Sequence, residues 1–433
     1  MAAVAEPAAP SNPEAEAIAP GDDAAGGEAA SPLREVLSIR SFRYFLISQF
    51  LANLATGTLR FVFIWLALEL SSWPAAASAI GFACGLPSLL LALPAGALSD
   101  RVSRWHLIVF GSIASSLMLL ATAGLVAAGL VDLTRAVLLA GAVCLTLASF
   151  LPAQQSVVPS IVPAKRLTNA IALQTIAMQV SMFLGALAGG GAIAGFGVAG
   201  AFALLAGLML CSAGAMAFVT IPNHEPPGAG DTRVPVLSDI RVGLAFVFRD
   251  PLLTSLMLAG VIIGTTWGLM QINMPAISKE ILGQGAFATS LLVGASAPGM
   301  LLSSLYLASR HETRRQGLLF GISMGIGLGG GALLLGWSQN YSLSLVIMII
   351  WGIFGGVAIT MQRAILQSRT PLAMMGRVMG IWTLALVGSF PLAAVVSGLL
   401  VEEFGPAGAL MTMGVITLVT APFVVFRRVV RSA

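Results

Sequence analysis

The sequence predicts an all-α polytopic membrane protein with twelve transmembrane helices in two pseudo-symmetric six-helix halves. Three observations carry that reading. Of 433 residues, 57% are hydrophobic and 9% charged, against roughly 25% charged in soluble domains, and the mean hydropathy is +0.94. Apolar runs between charged or Pro/Gly-rich breaks number twelve, each long enough to cross a hydrocarbon core that takes about 20 residues of helix. Finally, a short pattern recurs at an offset of 208 residues, so the second six runs look like a copy of the first six.

In chain order, residues 1–33 come first. They hold six acids (Glu6, Glu14, Glu16, Asp22, Asp23, Glu28), no Lys or Arg, and much Ala and Pro. Without hydrophobic periodicity they read as a disordered acidic cytoplasmic tail. They have neither the basic start nor the apolar stretch of a cleaved signal peptide. Residues 34–221 form the first half, with spans at 43–70, 75–98, 105–131, 136–160, 169–194 and 197–221. Residues 222–250 are the longest hydrophilic interruption and read as a cytoplasmic linker. Within it, 236–249 sets Val236, Ile240, Leu244 and Val247 against Asp239, Arg241 and Arg249, an amphipathic pattern suited to a membrane surface. Residues 251–427 form the second half, with spans at 251–276, 286–308, 316–338, 341–366, 374–401 and 405–427. A cytoplasmic tail, 428–433, ends the chain.

The repeat is explicit. Phe196-Gly197-Val198-Ala199-Gly200-Ala201 returns as Phe404-Gly405-Pro406-Ala407-Gly408-Ala409, and the same offset puts Pro163 on Pro371 and Gln154 on Gln362. Orientation follows from the bases. Of 22 Lys and Arg, 18 fall on the side of both termini, Arg135 and Lys279 on the other, and Arg60 and Arg363 within spans. That bias puts both termini in the cytoplasm, and the Ala/Gly-rich composition points to a bacterial plasma (inner) membrane. The bases are scattered over short loops, which excludes a nucleic-acid partner. Cys84, Cys144 and Cys211 all lie in apolar runs, read as small core hydrophobes, and form no disulfide framework or metal-ligand spacing. No metal, cofactor or catalytic set is expected. The expected partners are a small-molecule substrate, the lipid bilayer and protons, with the chain as a monomer.

The loop between spans two and three reads Gly96-Ala97-Leu98-Ser99-Asp100-Arg101-Val102-Ser103-Arg104. It resembles the G-x-L-[AS]-D-R-x-x-R signature of the major facilitator superfamily, in the loop where that family carries it. One branch is more similar still, the secretion-effector or third drug:proton antiporter group of enterobactin exporters and macrolide efflux proteins. The stretches carrying that likeness are Thr58–Leu66, Pro152-Ala153, Leu167-Thr168-Asn169-Ala170, Asp239–Leu244 and Gly376-Arg377-Val378-Met379-Gly380. There are departures. The antiporter signature Gly-Pro-x-x-Gly-Gly is here Gly185-Ala186-Leu187-Ala188-Gly189-Gly190, without the proline that implies a kink. The second-half counterpart of the Asp-Arg loop is Ala308-Ser309-Arg310, without the acid. The resemblance implies the major facilitator fold, in which one half rocks against the other around a central site.

Polar groups inside apolar runs are costly and normally face a cavity or a partner. Here they are Asn53, Thr56 and Arg60 in span one, Gln154 and Gln155 in span four, Trp267, Gln271 and Asn273 in span seven, and Gln362 and Arg363 in span ten. These ten are the candidate substrate-binding residues, and the resemblance implies that the same four helices line the central cavity. Alternatives stand beside that reading. Arg60 also suits snorkelling to outer headgroups or a structural hydrogen bond, Arg363 suits snorkelling, and the glutamines suit interhelical glue. No Asp or Glu falls in the middle of a span, since Glu69 is at the outer end of span one and Asp100 in the inner loop. Two arginines without a carboxylate favour anionic or neutral substrates, and a coupled proton must use Glu69, Asp100 or the substrate itself.

Gly96, Asp100, Arg101, Arg104 and Arg377 form a candidate conformational latch. The resemblance puts Asp100 near the positive end of span eleven and near Arg377, although Asp100 also suits a cap for span three. At the 208 offset Arg377 becomes Asn169 and the acid is missing, so only one crossing keeps both charges. Gly189-Gly190-Gly191 and Gly329-Gly330-Gly331 lie in apolar runs and read as helix-packing positions, not phosphate loops. The expected function is a secondary active transporter exporting a small anionic or neutral, siderophore- or drug-like molecule by alternating access, coupled to protons. The rivals are an uptake symporter and a non-transporting membrane sensor or scaffold.

Overall fold

A computed structural model describes residues 36–91, 103–163, 166–221, 236–308 and 315–422. The acidic tail 1–33, Gly96, Asp100, Arg101, the stretch 222–235 and the tail 428–433 lie outside the described residues. Every regular element among those described is helical: α1 (Arg40–Leu70), α2 (Ala76–Leu91), α3 (Arg104–Ala127), α4 (Leu133–Ile161), α5 (Leu167–Ala217), α6 (Val236–Arg249), α7 (Pro251–Ala276), α8 (Ala286–Gly294), α9 (Ser296–Ala308), α10 (Gln316–Ile322), α11 (Gly331–Trp337), α12 (Tyr341–Arg369), α13 (Leu372–Val387) and α14 (Phe390–Ala421). Helix is the form an apolar run must take in lipid, because it satisfies its own backbone groups.

Polar residues between the runs start several helices. Asp132 accepts from the Arg135 amide at 2.7 Å ahead of α4, and Asn340 from the Leu343 amide at 3.1 Å ahead of α12. Asp250 accepts from the Leu252 amide at 2.7 Å, with Pro251 as the first residue of α7. Each cap satisfies an amide that the helix itself leaves open.

Among the described residues nine helices are long and apolar enough to cross a membrane. Two run far beyond one crossing, Asn169–Ala217 at 49 residues and Met374–Ala421 at 48. At 1.5 Å per residue each is about 70 Å long, more than twice a hydrocarbon core of about 30 Å. Both are broken at one glycine with a left-handed φ, Gly197 (69°) and Gly405 (68°). These lie 208 residues apart, where the expected spans five and six, and eleven and twelve, meet. The apolar helix Ala76–Leu91 has 16 residues; the rest of its expected span, 92–98, lies outside the described residues.

Proline explains two further interruptions. Pro298 cannot donate to the Gly294 carbonyl, and the helix divides into α8 and α9. Pro391 cannot donate to Val387, and α13 gives way to α14, with the Ser389 hydroxyl donating to the Leu386 carbonyl at 2.9 Å. Between α10 and α11, Ser323–Gly330 widens into a π-helical stretch. The Gly185–Gly190 stretch stays helical without its proline.

Small residues set the packing. Gly185 lets α5 lie against α1, since a Cβ there would be 2.6 Å from the Leu54 carbonyl oxygen, and the Thr58 hydroxyl donates to the Gly185 carbonyl at 2.5 Å. Gly189 faces Thr58 and Phe61 of α1, while Gly190 faces Ser290 and Ala286 of α8. Gly329 lies 2.9 Å, measured from an added Cβ, from the Gly414 carbonyl oxygen. Both triple-glycine stretches thus contribute helix packing. Cys84 is buried and Cys144 half-buried, but Cys211 is exposed on its helix, so only the first two pack against the core. A helix in lipid gains nothing by turning its apolar thiol inward.

The part before residue 222 and the part after 235 meet where α5 lies against α8 at Gly190 and along a seam where α1 and α2 face α7 and α14. That seam runs from the end of α1 and the start of α2 to the level of Phe390. Trp73 donates to Glu402 (3.1 Å), Lys279 to the Leu68 carbonyl (2.9 Å), and Ser78 to Ser397 (3.0 Å). Gly81 abuts Ile272 and Ala394, and Gly85 abuts Pro391.

Candidate functional site

The site begins on α1. Gln49, Asn53, Thr56 and Arg60 are spaced four, three and four residues apart. At about 100° per residue that spacing puts all four on one narrow stripe. Gln49 is buried, Asn53 and Arg60 half-buried, and Thr56 exposed. Three buried atoms on the stripe have no hydrogen-bond partner: Gln49 Oε1, Asn53 Nδ2 and Arg60 Nε. Thr56 turns its hydroxyl back onto the Ala52 carbonyl at 2.8 Å. Unpaired buried polar groups cost about 1–3 kcal/mol each, so three on one face mark a surface built to meet something polar.

Across the seam, the Arg60 guanidinium carbon lies 3.9 Å from the centroid of the Phe390 ring. Phe390 opens α14 just after the break at Gly388–Ser389 and one residue before Pro391, which is how this ring comes to face α1. Stacking on an aromatic face offsets part of the desolvation of the charge and leaves the in-plane N–H groups of the guanidinium able to donate to an anion.

The second part of the chain supplies a different set. Trp267 of α7 stacks on Trp351 of α12, with ring centroids 4.9 Å apart, and Trp351 donates to the Leu328 carbonyl at 3.1 Å. Gln271, one turn beyond Trp267, is half-buried. Gln362 is fully buried; its Nε2 donates to the Leu256 carbonyl at 2.6 Å, and its Oε1 has no partner. Arg363 is exposed and lies 6.0 Å from the ring of Trp382, whose indole N–H is buried and unpartnered. Gly260 allows this junction of α7, α12 and α13, since its added Cβ would sit 3.1 Å from Gln362 Nε2 and 3.6 Å from Ala385 Cβ. Among the described residues no group of three or more His, Cys, Asp or Glu is placed to hold a metal ion.

The structure sorts the sequence candidates. Asn53, Thr56 and Arg60 share one face. Trp267, Gln362 and Arg363 gather around α12. Asn273 lies apart, in the seam, where its Nδ2 donates to the Leu269 carbonyl (2.9 Å) and to Ser397 (2.8 Å). Gln154 is buried in α4, and the side chain of Gln155 lies outside the described residues. Glu69 is exposed and accepts from the Trp65 indole at 2.6 Å; Lys279 lies 5.2 Å from that indole. Of the latch residues, Arg104 donates to Ser160 at 2.8 Å and Arg377 approaches Met374 Sδ at 3.4 Å; the acid meant to meet them lies outside the described residues.

Among the residues of this site that sequence reasoning missed are Gln49, Phe390 and Trp382. Gln49 was legible, because it extends the four-three-four spacing by one step. Phe390 and Trp382 were not, because an aromatic residue in an apolar run carries no signal until its neighbours across another helix are known.

Known proteins share this fold. The model of the Major Facilitator Superfamily matches residues 45–389. The enterobactin exporter EntS of Shigella boydii serotype 18 is 26% identical over 255 residues, 59% of this chain and 58% of that one. EntS of Escherichia coli O139:H28 matches to the same extent, so the chain spans less than two thirds of the length of these relatives. Among solved structures, a bacterial homologue of the human lysosomal transporter Spinster, inward-facing and occupied, superposes with a TM-score of 0.66 at 14% identity, covering 92% of this chain and 97% of that one. A POT family transporter in complex with 5-aminolevulinic acid gives 0.69 at 11% identity, over 89% and 96%. The nucleoside transporter NupG gives 0.66 at 13%, over 89% and 98%. At such identities the structures share a fold, while the family model covers most of the sequence, and the chain is a member of the Major Facilitator Superfamily.

Proposed function

We propose that this protein is a transporter and not an enzyme: a secondary carrier of twelve spans in two six-helix halves, 34–221 and 251–427, joined by the linker 222–250. It exports a small organic anion or neutral molecule by alternating access. The carrying observation is Arg60, a guanidinium inside the membrane part, stacked on Phe390 of the other half and keeping a buried, unpartnered Nε. A residue shared between the halves in that way binds substrate differently in each conformation, and differential binding is what couples a ligand to a conformational change. The polar stripe of α1 and the Gln362–Arg363–Trp382 junction offer donors and two free acceptors, Gln49 Oε1 and Gln362 Oε1, but no carboxylate.

Export rests on the likeness to enterobactin exporters. The 18-to-2 distribution of bases supports an orientation with both termini in the cytoplasm. With that orientation the seam lies toward the outer side. Proton coupling uses Glu69 or Asp100, or a proton carried by the substrate.

Flux in proteoliposomes with an imposed pH gradient tests this reading, comparing an anionic catecholate, a neutral macrolide and a cationic dye. Gradient-driven movement of the anion or the macrolide is the expected result. Preferential movement of the cationic dye would sink the charge argument, and movement only down the substrate's own gradient would sink proton coupling. Binding without flux of any kind would identify a sensor.

A further inference from the structure

The helix α6 is not part of the membrane-spanning set, yet it is firmly seated. Gly243 lets it lie on α13, where an added Cβ would be 2.9 Å from Ile381 Cδ1 and 3.2 Å from Arg377 Cβ. Val247 is 1% exposed in the core of the second part of the chain. At the corner into α7, the Thr254 hydroxyl donates to the Val247 carbonyl at 2.9 Å. Gly243 and Val247 therefore point one way. The opposite face carries Arg241, Val242, Ala245, Phe248 and Arg249, all exposed, with Phe248 at 67% and Val242 at 45%. Their positions fall within about a third of a turn of one another at about 100° per residue.

Two arginines flanking a bare aromatic ring and a bare valine form neither a solvent face nor a protein core. The face lies at the edge of the membrane, because α7, a membrane-crossing helix, starts at Pro251 two residues after it ends. We propose that this face docks anionic phospholipid: Phe248 and Val242 enter the boundary of the acyl chains while Arg241 and Arg249 hold phosphate-bearing, negatively charged headgroups. A lipid held there lies on the side of α6 away from α13, and because α6 itself rests on α13 through Gly243, the lipid composition of one leaflet bears on α13 through α6.

The test is amide hydrogen exchange over 241–249 of the full chain in nanodiscs of phosphatidylcholine alone and of an equal mixture with phosphatidylglycerol. A basic residue near an anionic surface gains about fivefold in binding, so the pair gives about thirtyfold more protection in the mixture. That gain falls as salt is raised, vanishes in R241Q/R249Q, and survives in R241K/R249K, which keeps the charge. Protection of 376–386 checks that each variant still seats α6 on α13. Equal protection in the two lipids overturns the proposal, as does a gain that salt leaves unchanged or that persists in R241Q/R249Q. Because the salt series uses the unaltered chain, it decides the matter even if a variant misfolds.

Discussion

Arg60 is tolerated in the membrane because its charge is spread over a plane and that plane rests on Phe390. A lysine would bring a compact, strongly hydrated charge and no fork of N–H groups. Arg60→Gln is therefore expected to lower anion flux by about tenfold or more, the worth of one charge-assisted hydrogen bond at about 1.5–3 kcal/mol. Arg60→Lys should recover only part of it. Equal flux in all three proteins, measured in the same vesicles, would remove Arg60 from the site. A second residue controls the contact between α5 and α8. A side chain at Gly190 would overlap Ser290 Oγ and come within 2.5 Å of the Ala286 carbonyl oxygen. Overpacking costs about 1–3 kcal/mol, here charged only to the state in which α5 and α8 touch. Gly190→Leu should shift the population toward the opposite state by about tenfold, read as a longer distance between spin labels on α5 and α8. An unchanged distance distribution with a folded variant would show that the contact can yield.

At the scale of elements, membrane helices here are defined as much by where they stop as by where they run. Gly197 and Gly405 turn two helices of 51 and 32 residues with left-handed backbone angles, and neither has an atom within 4 Å of the place a Cβ would take. Replacing either by alanine therefore adds backbone strain and nothing else. Gly197→Ala and Gly405→Ala should each destabilise by about 1–2 kcal/mol, seen as a lower Tm in detergent without loss of helix content. A Tm equal to that of the unaltered protein would mean that the turn relaxes at no cost. The interruption before Pro391 works differently. It ends α13, starts α14 at Phe390, and so points the ring at Arg60.

At the scale of the molecule, the parts before and after the linker are tied by a short polar ladder. Ser397 accepts from both Ser78 and Asn273, Trp73 reaches Glu402, and Lys279 reaches the Leu68 carbonyl. Each contact is worth about 0.5–1.5 kcal/mol, which holds two bodies together while still allowing them to part. The proposed orientation has a direct test: reporters fused at either terminus should both be active in the cytoplasm, and a periplasmic signal from one would invert the topology. Much of this protein was legible in its residues. Apolar runs dictate helices in lipid because no other backbone form satisfies its own hydrogen bonds there. The 208-residue repeat marked the two turning glycines, and the polar positions of α1 marked a face. What the sequence could not decide was which faces meet. Asn273 looks like its polar neighbours in α7 but is spent on Ser397, whereas Phe390 and Trp382 look like lipid-facing residues but meet Arg60 and Arg363. Periodicity along one helix is a local property, while the partner across the gap depends on the close approaches that Gly81, Gly190 and Gly260 permit between helices far apart in sequence, and only the tertiary structure contains those.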